Sequence, residues 1–293
     1  MILLSERKDK MTIQSANCME DNHNGTEPAI TVLQKISVLN RDNGTVFTNT
    51  ERLDAIACLL RGSGYQRMNT GGLVQIYARK PAEELDSSVV IVSSHVDCEH
   101  HITKCFTQLI DADTMLGTFD NAITNAAILH LMLKGNLPDH VLVAFTGDEE
   151  RTEQGAKDVI SFIRENSLKV RNIFVLDVTG EGWNTGSDFT VENDFWDERY
   201  GEKVIDLVKH TGYLWNYVPG DPDDIPDYIP KNQIIPYEAD EDESWEYDEA
   251  DLPCFSFCLP TRGEMHSDEG ILARVASFRR YTEVLERLLN IPL

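Results

Sequence analysis

The sequence predicts a single α/β domain of three layers, in which helices cover both faces of a mixed, mainly parallel and twisted sheet. Three observations support this fold class. Apolar segments of β-strand character alternate with amphipathic helical segments along most of the chain, which is the order that builds a parallel sheet through βαβ crossovers. The 293 residues suffice for one large domain with a substantial core. The 41% of hydrophobic residues is typical of a globular protein.

The elements are expected to begin after a loose, polar N-terminal arm over residues 1–27, and a single domain is expected over residues 28–293. Apolar residues recur at helical spacing in six segments, which are 30–36, 53–60, 121–134, 156–165, 200–210 and 270–289. Apolar runs of strand length occur in five segments, which are 73–78, 88–93, 140–146, 172–178 and 253–259. Thr50 is the predicted N-cap of the second helix, and Gly62 or Gly64 its predicted stop. The run 88–93 is apolar throughout and predicts a strand that is buried on both faces.

One segment interrupts this alternation. Residues 219–251 are rich in acids and prolines, and Lys231 is their only basic residue. Proline excludes long helices there, so we expect an acidic excursion over the surface and not a second domain. Loops of this length are often functional.

The net charge excludes two classes of partner. The chain has 50 acidic and 26 basic side chains, which gives a formal charge of −24. Binding to nucleic acid or to an anionic membrane needs clustered Lys and Arg, so neither partner is expected. No apolar run approaches the roughly 20 residues that cross a bilayer.

The N-terminus and the cysteines indicate a cytoplasmic location. Residues 1–4 are apolar but charged residues follow at once, whereas the apolar core of a secretory signal runs for roughly 7–15 residues. The six cysteines include no CxxC pair and no spacing typical of a disulfide framework. We therefore expect a soluble and reduced protein.

Chemistry is expected at the ends of the predicted strands, because ligands of an open parallel sheet bind beyond the carboxyl ends of its strands. Polar residues lie at or after the ends of four of these strands. Two more lead into the predicted helix 121–134. They are His95 and Asp97, Asp120 and Asn121, Asp148 to Glu150, Asp177, and His266. A lone His-x-Asp or an adjacent pair of glutamates is most often incidental. Two imidazoles and several carboxylates delivered to one edge are not.

Carboxylates that are packed together repel each other, and their burial is costly unless protons or cations compensate. A pair of divalent metal ions supplies that compensation. Mixed histidine and carboxylate ligation favours Zn²⁺, with Co²⁺ or Mn²⁺ as alternatives. The sequence therefore predicts two divalent metal ions at this edge.

The pattern resembles the co-catalytic zinc exopeptidases, in their aminopeptidase branch, from about Pro28 to the C-terminus. The motifs that carry the resemblance are His95-x-Asp97, Gly117-x-x-Asp120-Asn121, Glu149-Glu150, Asp177 and Met265-His266-Ser267. The stretches Leu259–Arg262 and Asp177–Thr179 resemble the tetrahedral, or glutamyl/deblocking, aminopeptidases. Those enzymes carry an inserted domain between the first histidine and the bridging aspartate, and this chain has no room for one. The layout is closer to the compact aminopeptidases, which also include the glutaminyl cyclases.

The resemblance implies the fold of these zinc peptidases, which is of the phosphorylase/hydrolase-like type, and a role for each matching residue. Asp120 would bridge two metal ions; His95 and Asp177 would complete one site, and Glu150 and His266 the other. The peptide bond after Asp120 would be cis. Asp97 would accept a hydrogen bond from the ring of His95 and fix its tautomer. Glu149 would be the general base that takes a proton from a metal-activated water.

Some residues depart from this pattern or extend it. His100 and His101 are either extra ligands or, as we expect, histidines of a surface loop. Cys98 and Cys105 are near the site in sequence, and thiolates bind zinc well, but we expect them to be ordinary buried or loop cysteines. The usual glycine after Asp120-Asn121 is absent from the stretch Ala122–Asn125.

The substrate pocket is less well defined by the sequence. Arg262 is a candidate for binding a substrate carboxylate, although it could equally pair with one of the many acids. The segment 244–248, with its Trp and Tyr, either reaches the pocket or anchors the acidic excursion to the core.

The leading hypothesis is a zinc-dependent exopeptidase of aminopeptidase type that hydrolyses the N-terminal bond of a peptide. The alternatives are hydrolysis of another amide, cyclisation of N-terminal glutamine with one zinc, and a catalytically idle scaffold that binds peptides or metals. Retention of Glu149 argues against the idle scaffold, because metal binding alone does not need that base. The sequence leaves open the peptide terminus that is attacked and the oligomeric state.

Overall fold

The computed structural model describes residues 28–39, 47–85 and 88–292. The N-terminal arm predicted over residues 1–27 lies outside the described residues, and the domain boundaries stay predictions. None of the described helices is both long and apolar enough to cross a membrane.

The described residues form one mixed sheet of eleven strands. In chain order the strands are β1 (Gln66–Arg67), β2 (Val74–Ala78), β3 (Val89–His95), β4 (Thr107–Leu109), β5 (Thr114–Gly117), β6 (Val141–Thr146), β7 (Val170–Thr179), β8 (Phe189–Phe195), β9 (Trp215–Val218), β10 (Cys254–Arg262) and β11 (Ile271–Arg274). Their order across the sheet is β1-β2-β6-β3-β7-β10-β11-β5-β4, with β8 beside β10 and β9 beside β8.

The centre of the sheet is parallel. Strands β6, β3, β7 and β10 pair in parallel, whereas β1, β2, β11, β5 and β4 add antiparallel strands at the two ends. The four central strands therefore deliver their carboxyl ends to one edge, and the predicted fold class is confirmed.

Eight α-helices accompany these strands in the described residues. They are α1 (Pro28–Ile36), α2 (Thr50–Leu59), α3 (Ala122–Lys134), α4 (Glu149–Thr152), α5 (Gln154–Glu165), α6 (Glu198–Lys209), α7 (Glu243–Glu249) and α8 (Val275–Leu289). Helices α1, α3 and α8 pack together on one face, where α3 contacts β7 and α8 contacts β10. On the other face α5 contacts β2, β6 and α7. The protein therefore has three layers.

Two apolar clusters hold these layers together, one on each face of the sheet. Strand β3 contributes to both, because alternate side chains of a strand point to opposite faces. Val90 and Val92 belong to the larger cluster, with α3 and α8. Val89 and Ile91 belong to the smaller one, with α5. The prediction that this strand is buried on both faces is confirmed.

The observed elements differ from the predicted ones at particular points. The N-cap of α2 is Asn49 and not Thr50, because the Asn49 side chain accepts a hydrogen bond from the backbone N–H of Arg52. The predicted helix 270–289 begins only at Val275, since residues 271–274 form an antiparallel strand beside β5. The short strands β4, β5, β8 and β9 were not predicted. In the sequence, the hairpin β4–β5 lies between the motif His95-x-Asp97 and Asp120.

The acidic segment 219–251 is not wholly a surface excursion. It contains helix α7, whose N-cap Asp242 accepts hydrogen bonds from the backbone and hydroxyl of Ser244. Asp242, Glu243 and Tyr247 are buried, and α7 contacts α5, β7 and β10. Part of this segment is therefore built into the core beneath the edge where the predicted site lies.

Candidate metal centre

The carboxyl edge of the sheet brings together the six residues that the sequence predicts as ligands or base. His95 is the last residue of β3, and Asp177 lies near the end of β7. Glu149 and Glu150 begin helix α4 directly after β6. Asp120 precedes helix α3, and His266 follows strand β10. Parallel pairing of β6, β3, β7 and β10 explains why residues so far apart in the chain meet here.

The first group of side chains surrounds His95, which is buried. Its Nε2 atom lies 3.0 Å from Oδ1 of Asp120 and 3.6 Å from Oδ1 of Asp177. The three ligand atoms lie within 4.8 Å of one another. This spacing leaves room for one metal ion between them.

The second group forms on the other oxygen of the same aspartate. The Nε2 atom of His266 lies 3.2 Å from Oδ2 of Asp120 and 3.2 Å from Oε2 of Glu150. Each oxygen of Asp120 therefore faces a different histidine. This is the geometry expected of a carboxylate that bridges two metal ions.

Asp97 contacts both the His95 ring and the start of helix α4. Asp97 is fully buried, and its Oδ1 atom lies 3.5 Å from Nδ1 of His95. This neighbour aims the Nε2 atom of the ring at the other carboxylates. The second oxygen of Asp97 accepts a hydrogen bond from the backbone N–H of Glu150 at 3.3 Å. One carboxylate thereby links the loop after β3 to the start of α4.

The backbone at Asp120 keeps the expected conformation although the glycine is missing. The peptide bond between Asp120 and Asn121 is cis, as the resemblance implies. The Asn121 side chain donates a hydrogen bond to the carbonyl of Leu176. The Asn125 side chain donates to the carbonyls of His95 and Asn121. Asn125 therefore ties this loop to strand β3, and Asn121 ties it to strand β7.

The two adjacent glutamates occupy different positions. Asp148, which precedes them, takes a left-handed conformation with φ of 65°, and aspartate tolerates this conformation better than most residues. Glu150 lies beside His266. The nearest imidazole nitrogen to Glu149 belongs to His95, at 3.9 Å. Glu149, Glu150 and His95 also form a group whose ligand atoms lie within 4.8 Å.

The crowding of carboxylates shifts several pKa values. Burial, followed by the charge of Asp120, raises the pKa of Glu150 to about 8, and burial raises that of Asp177 to about 6. Burial also raises the pKa of Glu149 well above its ordinary value. Burial opposes the protonation of His95, but the surrounding carboxylates, Glu149 first among them, raise its pKa well above 6.5. Without metal ions, bound protons must therefore balance the negative charge of these carboxylates. Bound cations would otherwise balance it.

These residues line a cavity of about 440 Å³ that is more acidic than the sequence predicts. Six further acids contribute to the wall, and they are Glu99, Glu153, Glu192, Asp240, Glu241 and Asp242. A ligand atom of Glu99 lies within 4.8 Å of those of Glu150 and His266. Its position two residues after His95-x-Asp97 was the only signal that could have identified it. Glu192 is on strand β8, which had not been predicted.

The structure does not bring every candidate residue to the cavity. Arg262 ends strand β10 and is exposed, and among the described residues that line the cavity it does not occur. Segment 244–248 is also absent from the described residues that line the cavity. The acidic segment reaches the cavity through Asp240 to Asp242 instead. His100 and His101 have side chains that are 72% and 52% exposed, as expected of a surface loop.

Histidines and carboxylates gathered at the carboxyl edge of a parallel sheet are typical of hydrolases that use a pair of metal ions. The sequence profile of peptidase family M28 matches residues 75–226, more than half of the chain. The protein belongs to peptidase family M28. The matched range includes the candidate residues from His95 to Asp177, whereas His266 lies beyond it. No curated protein sequence matches the chain.

Solved structures of peptidases share the fold at low sequence identity. A TET aminopeptidase from the marine sediment archaeon Thaumarchaeota archaeon SCGC AB-539-E09 aligns with a TM-score of 0.65 and 11% identity over 90% of this chain and 97% of that one. The Pyrococcus horikoshii TET1 peptidase aligns with a TM-score of 0.63 and 11% identity, over 90% of this chain and 100% of that one. The Legionella pneumophila LapA aminopeptidase aligns with a TM-score of 0.59 and 14% identity, over 90% of this chain and 71% of that one. At these identities the likeness establishes the fold alone.

Proposed function

We propose that this protein is a metal-dependent aminopeptidase that hydrolyses the first peptide bond of peptides with a free amino terminus. One observation carries the proposal. The two oxygens of Asp120 face the Nε2 atoms of His95 and His266, at 3.0 and 3.2 Å, inside one acidic cavity.

The side chains present fit a pair of divalent ions. Imidazole nitrogens mixed with carboxylate oxygens suit Zn²⁺. Asp177 completes a group with His95 and Asp120, and Glu150 completes one with His266 and Asp120. The Nδ1 atom of His95 makes no hydrogen bond within the described residues, and the Asp97 carboxylate lies beside it at 3.5 Å. The ring is thus oriented with Nε2 toward the centre.

Bound metal ions would lower the pKa of a water molecule and polarise the scissile carbonyl. The protein's own contribution would come from Glu149, which does not belong to either group around Asp120. Its pKa is raised well above the ordinary value, by burial and by the charges of Asp177, Glu150 and Asp120, so this carboxylate favours taking up a proton. We assign it the role of general base, which receives a proton from the attacking water and passes it to the leaving amine.

The charge of the cavity supports attack at the amino end of the peptide. The lining residues are predominantly acidic, and Arg151 is the only Lys or Arg among the described ones. Its guanidinium already pairs with Asp148 at 2.7 Å and lies over the ring of Phe47. A free α-amino group would be attracted to the wall formed by Glu192 and its neighbours, whereas a terminal carboxylate would be repelled.

The test combines metal analysis with three substrates. Purified protein should contain two zinc or cobalt ions per chain by emission spectroscopy. It should release the N-terminal residue from a dipeptide with a free amino group, and not from the N-acetylated form of the same dipeptide. A glutaminyl peptide tests cyclisation.

Cyclisation together with one metal ion per chain would favour the glutaminyl cyclase alternative. Hydrolysis of the acetylated peptide would favour another amidohydrolase. Metal binding with no turnover on any substrate would favour the idle scaffold.

A further inference from the structure

A buried arginine lies next to the candidate metal centre, and no carboxylate among the described residues pairs with it. Arg52, on helix α2, is fully buried. Its guanidinium donates hydrogen bonds to the carbonyls of Ile36 and Val96, at 3.2 and 2.8 Å. In the part of the chain that the structure describes, no ion pair of Arg52 with an acid occurs. Its remaining contacts are to sulfur, at 3.8 Å from Cys98 and 3.5 Å from Cys105.

The two cysteines also contact each other. Their Sγ atoms lie 3.8 Å apart, so a disulfide needs only adjustment of the two side chains and the loop that joins them. In the described residues no disulfide is formed, and both cysteines are thiols. A guanidinium within hydrogen-bond distance of two thiols favours the thiolate form of one of them.

The two thiols differ in access. Cys105 is partly exposed and lines a cavity of about 580 Å³ with Lys104, Ser37 and Leu39. Cys98 is buried, and the cavity does not reach it. The hydrogen bond from Cys98, opposed by burial and aided by the charge of Arg52, lowers the pKa of Cys105 to about 7. A small molecule would therefore meet Cys105 first.

We propose that Cys105 and Cys98 form a redox-active pair that reacts with low-molecular-mass disulfides such as glutathione disulfide. The Cys105 thiolate attacks one sulfur of glutathione disulfide, whose S–S bond breaks and releases one glutathione thiolate. Cys98 then attacks the Cys105 sulfur of the mixed disulfide, its proton passes to solvent, and the second glutathione leaves as a thiolate. Two protein thiols are oxidised and one disulfide is reduced to two thiols.

This pair would be coupled to the candidate metal centre through Cys98. The Sγ atom of Cys98 lies 3.8 Å from the backbone carbonyl of Asp120, and Asp97 precedes it in the chain. Drawing the sulfur toward Cys105 would therefore disturb both its contact with Asp120 and the loop that carries Asp97. We infer that the disulfide weakens metal binding, an inference that rests on the proposed function.

The experiment uses the full chain in glutathione buffers of defined ratio at pH 7, followed by alkylation and peptide mass mapping. We expect a Cys98–Cys105 disulfide that dithiothreitol reverses. In the Cys98→Ser variant we expect a glutathione adduct on Cys105, formed roughly tenfold faster than on half-buried Cys58. Cys58→Ser is the matched control and should leave the disulfide unchanged.

Alkylation of both Cys98 and Cys105 at every glutathione ratio would overturn the redox pair, as would equal adduct rates on Cys105 and Cys58. Zinc per chain is measured on the same samples, without an activity assay. Lower zinc in the oxidised protein supports the coupling, and equal zinc in both forms overturns it. Absence of zinc from the reduced protein contradicts the proposed function and leaves the thiol test intact.

Discussion

The Nε2 atom of His266 lies 3.2 Å from Oδ2 of Asp120. The loop after strand β10 thus meets the loop that precedes helix α3, and the second carboxylate oxygen remains for His95. Among the described side chains, Asp120 is shared by both groups of candidate ligands.

Asp120→Asn should remove metal from both positions, because a neutral amide is a poorer donor to divalent cations and its nitrogen cannot bind them. We expect zinc per chain to fall to near zero by emission spectroscopy. Asp113→Asn, at an exposed turn, is the control and should keep both ions. Retention of one full equivalent in Asp120→Asn would show that the carboxylate does not bridge.

Glu149→Gln and Glu150→Gln should have different effects although the residues are adjacent. Glu150 lies 3.2 Å from His266, so its amide variant should lose part of the metal. Glu149→Gln should keep metal and fold, yet slow turnover by roughly 10²–10⁴-fold through loss of general base catalysis.

The measurement for both glutamate variants is metal content beside kcat. Full activity in Glu149→Gln would rule out the base assigned here. Equal metal loss in the two variants would mean that their roles are reversed or shared, since Glu149 also lies within ligand distance of His95.

Glu192→Gln should weaken the binding of peptides with a free amino terminus. Glu192 is buried in the cavity wall, and burial raises its pKa to about 8. An incoming ammonium group would favour the ionised form of this carboxylate, so losing that charge-assisted contact should raise KM roughly tenfold, with a smaller change in kcat. The control is Glu202→Gln on the exposed side of α6. An unchanged KM would exclude Glu192 from recognition of the amino group.

Glu243→Gln should alter how stability depends on pH. Burial raises the pKa of Glu243 from its ordinary value of 4.5 to about 7. The folded state holds this proton more tightly than the unfolded chain, so this group destabilises the protein progressively as pH rises from about 4.5 to about 7. The amide cannot ionise and keeps the acceptor for the Ser93 hydroxyl.

Denaturant unfolding at pH 4.5 and pH 8 measures this effect. Relative to the unmodified protein, Glu243→Gln should gain on the order of 3 kcal/mol in unfolding free energy between the two values. Glu249→Gln, exposed on the same helix, should show no such gain. An identical pH dependence in all three proteins would place the ionisation of Glu243 outside this window.

Much of the site could be predicted from the sequence because parallel strands bring their carboxyl ends to the same edge of a sheet. Continuous apolar runs such as residues 88–93 identify buried strands, and the residues that follow them must meet at one edge. His95, Asp177 and the Glu149-Glu150 pair were found by this rule. The assignment of Asp120 and His266 needed motif resemblance as well, since each lies several residues away from a strand end.

Short edge strands and caps depend on contacts that periodicity does not encode. Strand β11 has four residues and forms because it pairs with β5. Its apolar pattern continues without a break into α8, so the sequence predicts a single helix over both. Asn49 replaced Thr50 as the N-cap because only the three-dimensional path of the chain decides which side chain reaches the free N–H groups.

The fold class, the order of the central elements and the residues at the strand ends could all be inferred from local hydrophobic periods in the sequence. In contrast, the folded chain was needed to show that Glu99 and Glu192 enter the cavity and that Arg262 does not. It was also needed to show that the acidic segment turns inward at Asp242 and that Arg52 meets two thiols. Such contacts join segments far apart in the chain, and their partners are selected by packing and by the need to satisfy buried polar groups.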